Sequence, residues 1–135
     1  MLNTLSFLYV EDDPNSRKVM DLIMNKAMQV KSLVIFEDSK DFQTRLENLS
    51  PRPDIILLDI HVEPLDGFEM LKIIRQSANL HGVKVIALTA SVMNEEIEKL
   101  RTEGFDGTVS KPLSLPILPG LFERIANGES VWHIV

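Results

Sequence analysis

Three short, uninterrupted apolar runs that each stop at an acidic or hydroxyl side chain constrain this chain more than any other feature. Phe7-Leu8-Tyr9-Val10 ends in Glu11-Asp12-Asp13, Ile55-Ile56-Leu57-Leu58 ends in Asp59, and Val85-Ile86-Ala87-Leu88 ends in Thr89. Runs of this length without polar alternation suit strands buried on both faces, as in a parallel sheet. Leu33-Val34-Ile35-Phe36 reads as a further strand, and Gly107 to Ser110 as a shorter one that runs into Lys111-Pro112.

Amphipathic segments separate the runs. After Pro14, which a first helical turn tolerates, Val19, Met20, Ile23 and Ala27 follow at helical spacing. Phe42, Leu46 and Leu49 line a second helix, which Pro51 and Pro53 end. Asp66 and Glu69 have capping-box spacing before a helix carrying Leu71 and Ile74. A fourth helix has Glu95 and Glu96 early, Lys99 and Arg101 late, and Gly104 as its stop, in keeping with the helix dipole. Pro116 and Pro119 predict one loose turn and then a fifth helix from about Pro119 to Ala126. Five strands alternating with five helices predict an α/β, three-layer, doubly wound sandwich of the flavodoxin-like kind. Its five-stranded parallel sheet is expected in the order 2-1-3-4-5.

The chain's 135 residues fit one compact domain over 1–127 with a short C-terminal tail over 128–135. A hydrophobic share of 44% supports a real core rather than disorder. The net charge of −6 argues against a nucleic-acid-binding surface, and no apolar stretch is long enough to span a bilayer, so a cytoplasmic protein without membrane or nucleic-acid partners is expected. With no cysteine, disulfides and thiolate chemistry are excluded. The tail segment Val131-Trp132-His133-Ile134-Val135 is apolar for a solvated end. Either Trp132 folds back onto the domain, the preferred reading, or the segment is a docking patch for a partner or second copy.

In a parallel sheet the ends that carry Glu11, Asp12, Asp59, Thr89 and Lys111 share one edge, so these residues should meet in a shallow cleft. Three carboxylates there would repel one another, and a hard divalent cation relieves that repulsion. Magnesium is expected, held directly by Asp12 and Asp59, by Glu11 through water, and by the backbone carbonyl of His61. Asp59 then has an oxygen free to attack phosphorus, Lys111 offers a point charge to a phosphoryl oxygen, and the Thr89 hydroxyl offers a hydrogen bond. Small Ala90 would leave the approach open. Taken singly, Asp59 could be a helix cap, Thr89 an N-cap and Lys111 a solvated surface residue. Asp13 and Asp66 read as N-caps, and the methionines as core filler.

These residues resemble the receiver domains of two-component, phosphorelay signalling. The resemblance rests on Glu11-Asp12, Leu57-Leu58-Asp59 with Pro64-Leu65-Asp66-Gly67, Ala87-Leu88-Thr89-Ala90 and Lys111-Pro112, and it covers roughly Leu5 to Asn127. It implies a response regulator that is itself the phosphoprotein: Asp59 takes a phosphoryl group from a sensor histidine kinase or histidine phosphotransfer protein. Strands four and five and their helices then shift, and contacts with a downstream protein or in a homodimer change. Two positions depart from the family. Glu63 stands where proline is usual, before Pro64, and Thr108 stands where an aromatic switch residue is usual.

Three other functions are weighed against this one. A non-phosphorylated binding module of the same fold draws support from Thr108 and Glu63. An aspartyl phosphatase would commonly carry a second Asp two residues after the nucleophile, where this chain has His61, and flavin binding lacks a phosphate loop after the first strand.

Overall fold

The computed structural model describes residues 2–90 and 93–133. After a short 3-10 turn, the elements are β1 (Ser6–Val10), α1 (Pro14–Asp21), β2 (Ser32–Phe36), α2 (Phe42–Glu47), β3 (Ile55–Asp59), α3 (Gly67–Gln76), β4 (Lys84–Thr89), α4 (Asn94–Glu103), β5 (Gly107–Ser110), α5 (Leu118–Ala126) and β6 (Val131–His133). The sheet is wholly parallel, in the order β2-β1-β3-β4-β5-β6.

Alternation along the central strands builds two cores. Leu8 and Val10 of β1, with Ile56 and Leu58 of β3, pack against Phe42, Met70, Ile74 and Leu100, so α2, α3 and α4 cover one face. Phe7 and Tyr9, with Ile55 and Leu57, pack against Met20, Ile23, Phe122 and Ile125, so α1 and α5 cover the other. A period of two therefore feeds both layers from the same run, which is why the runs are apolar throughout. Each such side chain contributes roughly 1.5–3 kcal/mol when fully buried. β2 lies at the edge and is only half-buried over most of its length.

The helix ends follow their caps. The Asp13 carboxylate accepts from the Ser16 N–H at 2.9 Å and from its hydroxyl at 2.7 Å. At α3 the capping box is complete: Glu69 N–H donates to Asp66 at 2.9 Å, and Asp66 N–H donates to Glu69 at 3.1 Å. Gly104 closes α4 with φ 104°, a left-handed conformation that glycine adopts without steric cost.

The fifth helix follows its expected course: after one turn, α5 runs from Leu118 to Ala126, with Pro119 in the first turn, where no N–H is required. Two features differ from the sequence reading. First, α1 passes into a π-helical segment, Leu22–Met28. Its wider turn brings Ile23 and Met28, five residues apart, into the core and leaves Ala27 exposed, so the regular stripe through Ala27 is not followed. Second, the sheet has six strands rather than the expected five. β6 pairs with β5 through Gly107↔Val131, Thr108↔Trp132 and Val109↔His133, inside the stretch expected as tail. Val131 is buried among the α1 and α5 side chains. Trp132 packs from the other side with the Arg101 guanidinium 4.6 Å above its ring. Ile134 and Val135 lie outside the described residues.

The β5–β6 pairing depends on Gly107, because a Cβ built there would collide with the Val131 carbonyl oxygen. Gly107→Ala should therefore displace β6, lower stability by about 1–3 kcal/mol in urea denaturation, and move the emission of the single tryptophan to the red. Unchanged emission with unchanged stability would show that β6 does not need this close approach.

Candidate functional site

Every strand of this sheet ends on the same edge, and the polar residue that stops each run is delivered there. Glu11 follows β1, Asp59 is the last residue of β3, Thr89 is the last of β4, and Lys111 follows β5. Thr89 lies one residue beyond the register partner of Asp59, and its carbonyl accepts the Lys111 N–H at 2.9 Å. Four segments distant in sequence are thus fixed side by side by backbone pairing alone.

The Lys111 ammonium joins the acidic residues. It lies 2.6 Å from Glu11 Oε1 and 3.1 Å from Asp59 Oδ2. The second oxygen of Asp59 accepts the His61 N–H at 3.0 Å. Oxygens of Glu11, Asp12 and Asp59 lie within 4.8 Å of one another, with Glu11 and Asp59 buried and Asp12 exposed. His61 has an exposed side chain and lines, with Thr89, Phe68 and Lys99, one cavity of about 250 Å³. Ala90, next to Thr89, is exposed.

Burial pushes the Glu11 carboxyl up to about 7, and its hydrogen bond with Asp59 acts in the same direction against Lys111 and Tyr9. Burial also opposes ionisation of Asp59, but hydrogen bonds from Glu11 and the His61 N–H, together with Lys111, outweigh it and hold Asp59 below the usual carboxylate range. Burial alone would lower Lys111, yet Glu11 and Asp59 hold it above the ordinary lysine value. Asp59 is therefore the ionised carboxylate of the pair, and Glu11 is the one that shares a proton.

One member of the site was not anticipated from sequence. The Tyr9 hydroxyl donates to Glu11 Oε1 at 2.7 Å, wholly buried beneath the acidic residues. Burial first, and then Glu11, raise its ionisation well above the ordinary phenol value. The available signal was its place two residues before Glu11, which puts both side chains on one face of β1.

The departures noted in sequence are also placed. Ser39, fully buried, donates to the Leu65 carbonyl at 2.7 Å and accepts its N–H at 2.7 Å, and its own N–H reaches the Glu63 carbonyl. This ties the loop carrying Glu63 and Pro64 to the end of β2, while the Glu63 side chain remains exposed. Thr108 is buried and donates to the Ala87 carbonyl at 3.0 Å, so β5 offers no aromatic ring at that position. The neighbouring aromatic is Trp132, its register partner on β6.

Comparison with known proteins agrees with this geometry. Residues 7–121 match the family model described as the response regulator receiver domain. The chain is 38% identical over 65 residues to the polar-differentiation response regulator DivK of Brucella anthropi, covering 48% of this chain and 53% of that protein. The matched region thus spans about half the length of that relative. Among solved structures, the receiver domain of sensor histidine kinase PA1611 from Pseudomonas aeruginosa, with a magnesium ion coordinated in its active site cleft, superposes with a TM-score of 0.78 at 25% identity, covering 93% of this chain and 99% of that one. The chemotaxis response regulator CheY4 of Vibrio cholerae shares the fold, with a TM-score of 0.79 at 20% identity over 90% of this chain and 98% of that one.

The shared proton has a measurable consequence. The folded pKa of Glu11 lies above its unfolded value of 4.5, so its contribution to stability is present below pH 4.5 and lost as pH rises through about 7. In magnesium-free buffer, urea denaturation should show stability falling over this window by an amount on the order of 3 kcal/mol. Glu11→Gln should flatten that part of the profile, and a slope that survives the substitution would assign the titration elsewhere.

Proposed function

Because the chain belongs to the response regulator receiver domain family, we propose that it accepts a phosphoryl group on Asp59 in a magnesium-dependent step and signals through altered protein–protein contacts. The observation that carries this reading is the Lys111 ammonium 3.1 Å from Asp59 and 2.6 Å from Glu11, with Asp12 completing an acidic cluster within 4.8 Å.

The donor set fits magnesium: oxygens of three carboxylates lie within 4.8 Å of one another, burial and the neighbouring Asp59 hold the Glu11 carboxyl up where a cation would relieve it, and all three offer hard oxygen ligands. Asp12 and Asp59 would hold the ion directly, with Glu11 acting through water and the His61 carbonyl as a further ligand. When bound, magnesium supplies neutralising charge among these carboxylates and the transferred phosphoryl oxygens.

The chain's own residues do the rest. Asp59, ionised at neutral pH, presents its carboxylate to the phosphohistidine of a sensor kinase or histidine phosphotransfer protein. An oxygen–phosphorus bond forms as the phosphorus–nitrogen bond breaks, and that electron pair stays on the departing imidazole. Lys111 places positive charge against a phosphoryl oxygen, and the Thr89 hydroxyl donates to another. Exposed Ala90 leaves the approach open, and the same groups would later serve water in hydrolysis of the aspartyl phosphate. The output contact is with a downstream protein or a second copy in the cytoplasm. It works without an aromatic at Thr108, whose hydroxyl is engaged within the sheet.

Incubation with acetyl phosphate and magnesium should add the mass of one phosphoryl group, and chelation of the metal should prevent it. Asp59→Asn should remove labelling, and Lys111→Ala should slow it by about tenfold or more. Sizing of the same samples reports whether a dimer forms. Equal labelling of Asp59→Asn would end the assignment.

A further inference from the structure

The Tyr9 hydroxyl has no place in the chemistry described above, yet it contacts the most buried group of the site. Glu11 is 0% exposed, and its Oε1 takes two donors, Tyr9 at 2.7 Å and Lys111 at 2.6 Å. Its other oxygen has the Asp13 N–H at a longer 3.4 Å. The two close donors differ in freedom. Tyr9 is 0% exposed, locked within β1 and packed in the core under α1 and α5. Lys111 follows β5, is partly exposed, and already shares its ammonium between Glu11 and Asp59.

We propose that Tyr9 is a positioning residue of this site: its phenol holds Oε1 of Glu11 so that the Lys111 ammonium can leave that carboxylate for a phosphoryl oxygen. The proposal rests on the receiver reading above and adds a residue to it. A buried carboxylate that loses its close donors bears the full cost of desolvation, whereas one that keeps a charge-assisted hydrogen bond does not. Without Tyr9, Lys111 would be bound to Glu11 as the sole close compensation for that buried charge. With Tyr9, the lysine is shared and can be released. The same bond restrains the Glu11 carboxylate from within the core, where the tyrosine ring itself is immobilised by packing.

A bland alternative makes Tyr9 a core residue whose hydroxyl happens to be satisfied. Tyr9→Phe separates the two, because the ring continues to fill the core and only the hydroxyl is lost. The substitution should raise the magnesium dissociation constant, measured by calorimetry, by about tenfold and slow acetyl phosphate labelling to a similar extent. In a Glu11→Ala background, where the acceptor is gone, Tyr9→Phe should change neither quantity by more than about twofold. Magnesium affinity and labelling equal to wild type in Tyr9→Phe, or an effect undiminished in the Glu11→Ala background, overturns the proposal. A second measurement needs no variant. The chain has one tyrosine, so ¹³Cζ-labelled protein gives a single resonance, which should shift as magnesium is added. A resonance that stays fixed while calorimetry shows binding also overturns the proposal. A wild-type chain that neither binds magnesium nor takes up phosphate overturns the receiver reading itself, which is a separate result.

Discussion

A carboxylate with no solvent contact survives in a protein only if fixed donors replace the water it has lost. Glu11 sits in that position at the end of the first strand, and the close donors that compensate it come from β1 itself and from the segment after β5. The compensation works only if β1, β3 and β5 end together on one edge, because Lys111 must reach Glu11 and Asp59 at once. The order of the sheet, the two-faced burial of its central strands and the register of their pairing are all constraints on that meeting. Electrostatics then divides the labour between the acids. Asp59, with the His61 N–H and Lys111 beside it, is held below the usual carboxylate range, while burial raises Glu11 to about 7.

Much of this was legible in the chain. The continuous runs ending at Val10 and Leu58 declared strands covered on both faces, and the parallel order followed from the helices between them. The convergence of Glu11, Asp12, Asp59 and Lys111 followed from that order without any structural input, and so did the mutual crowding of the three acids. The caps at Asp13, Asp66 and Gly104 were readable because capping is local chemistry.

What escaped reading depends on contacts between distant segments. The π-helical stretch cannot be seen in a pattern searched at 3.6 residues per turn, and only the burial of Met28 in place of Ala27 reveals it. β6 is three residues long, too short for alternation to register, and it exists because Gly107 has no side chain to keep Val131 away. Tyr9 was hidden in plain view, since an aromatic within an apolar run reads as filler until its hydroxyl is seen to meet Glu11.

The Ser39 tie has a wider implication. One hydroxyl both donates to and accepts from Leu65, which clasps the loop after β3 to the loop after β2 over a separation of 26 residues. Loops around a reacting carboxylate are usually free to evolve in length and sequence. Here the clasp makes two of them a single unit, so a change in the length of either would be felt by the other.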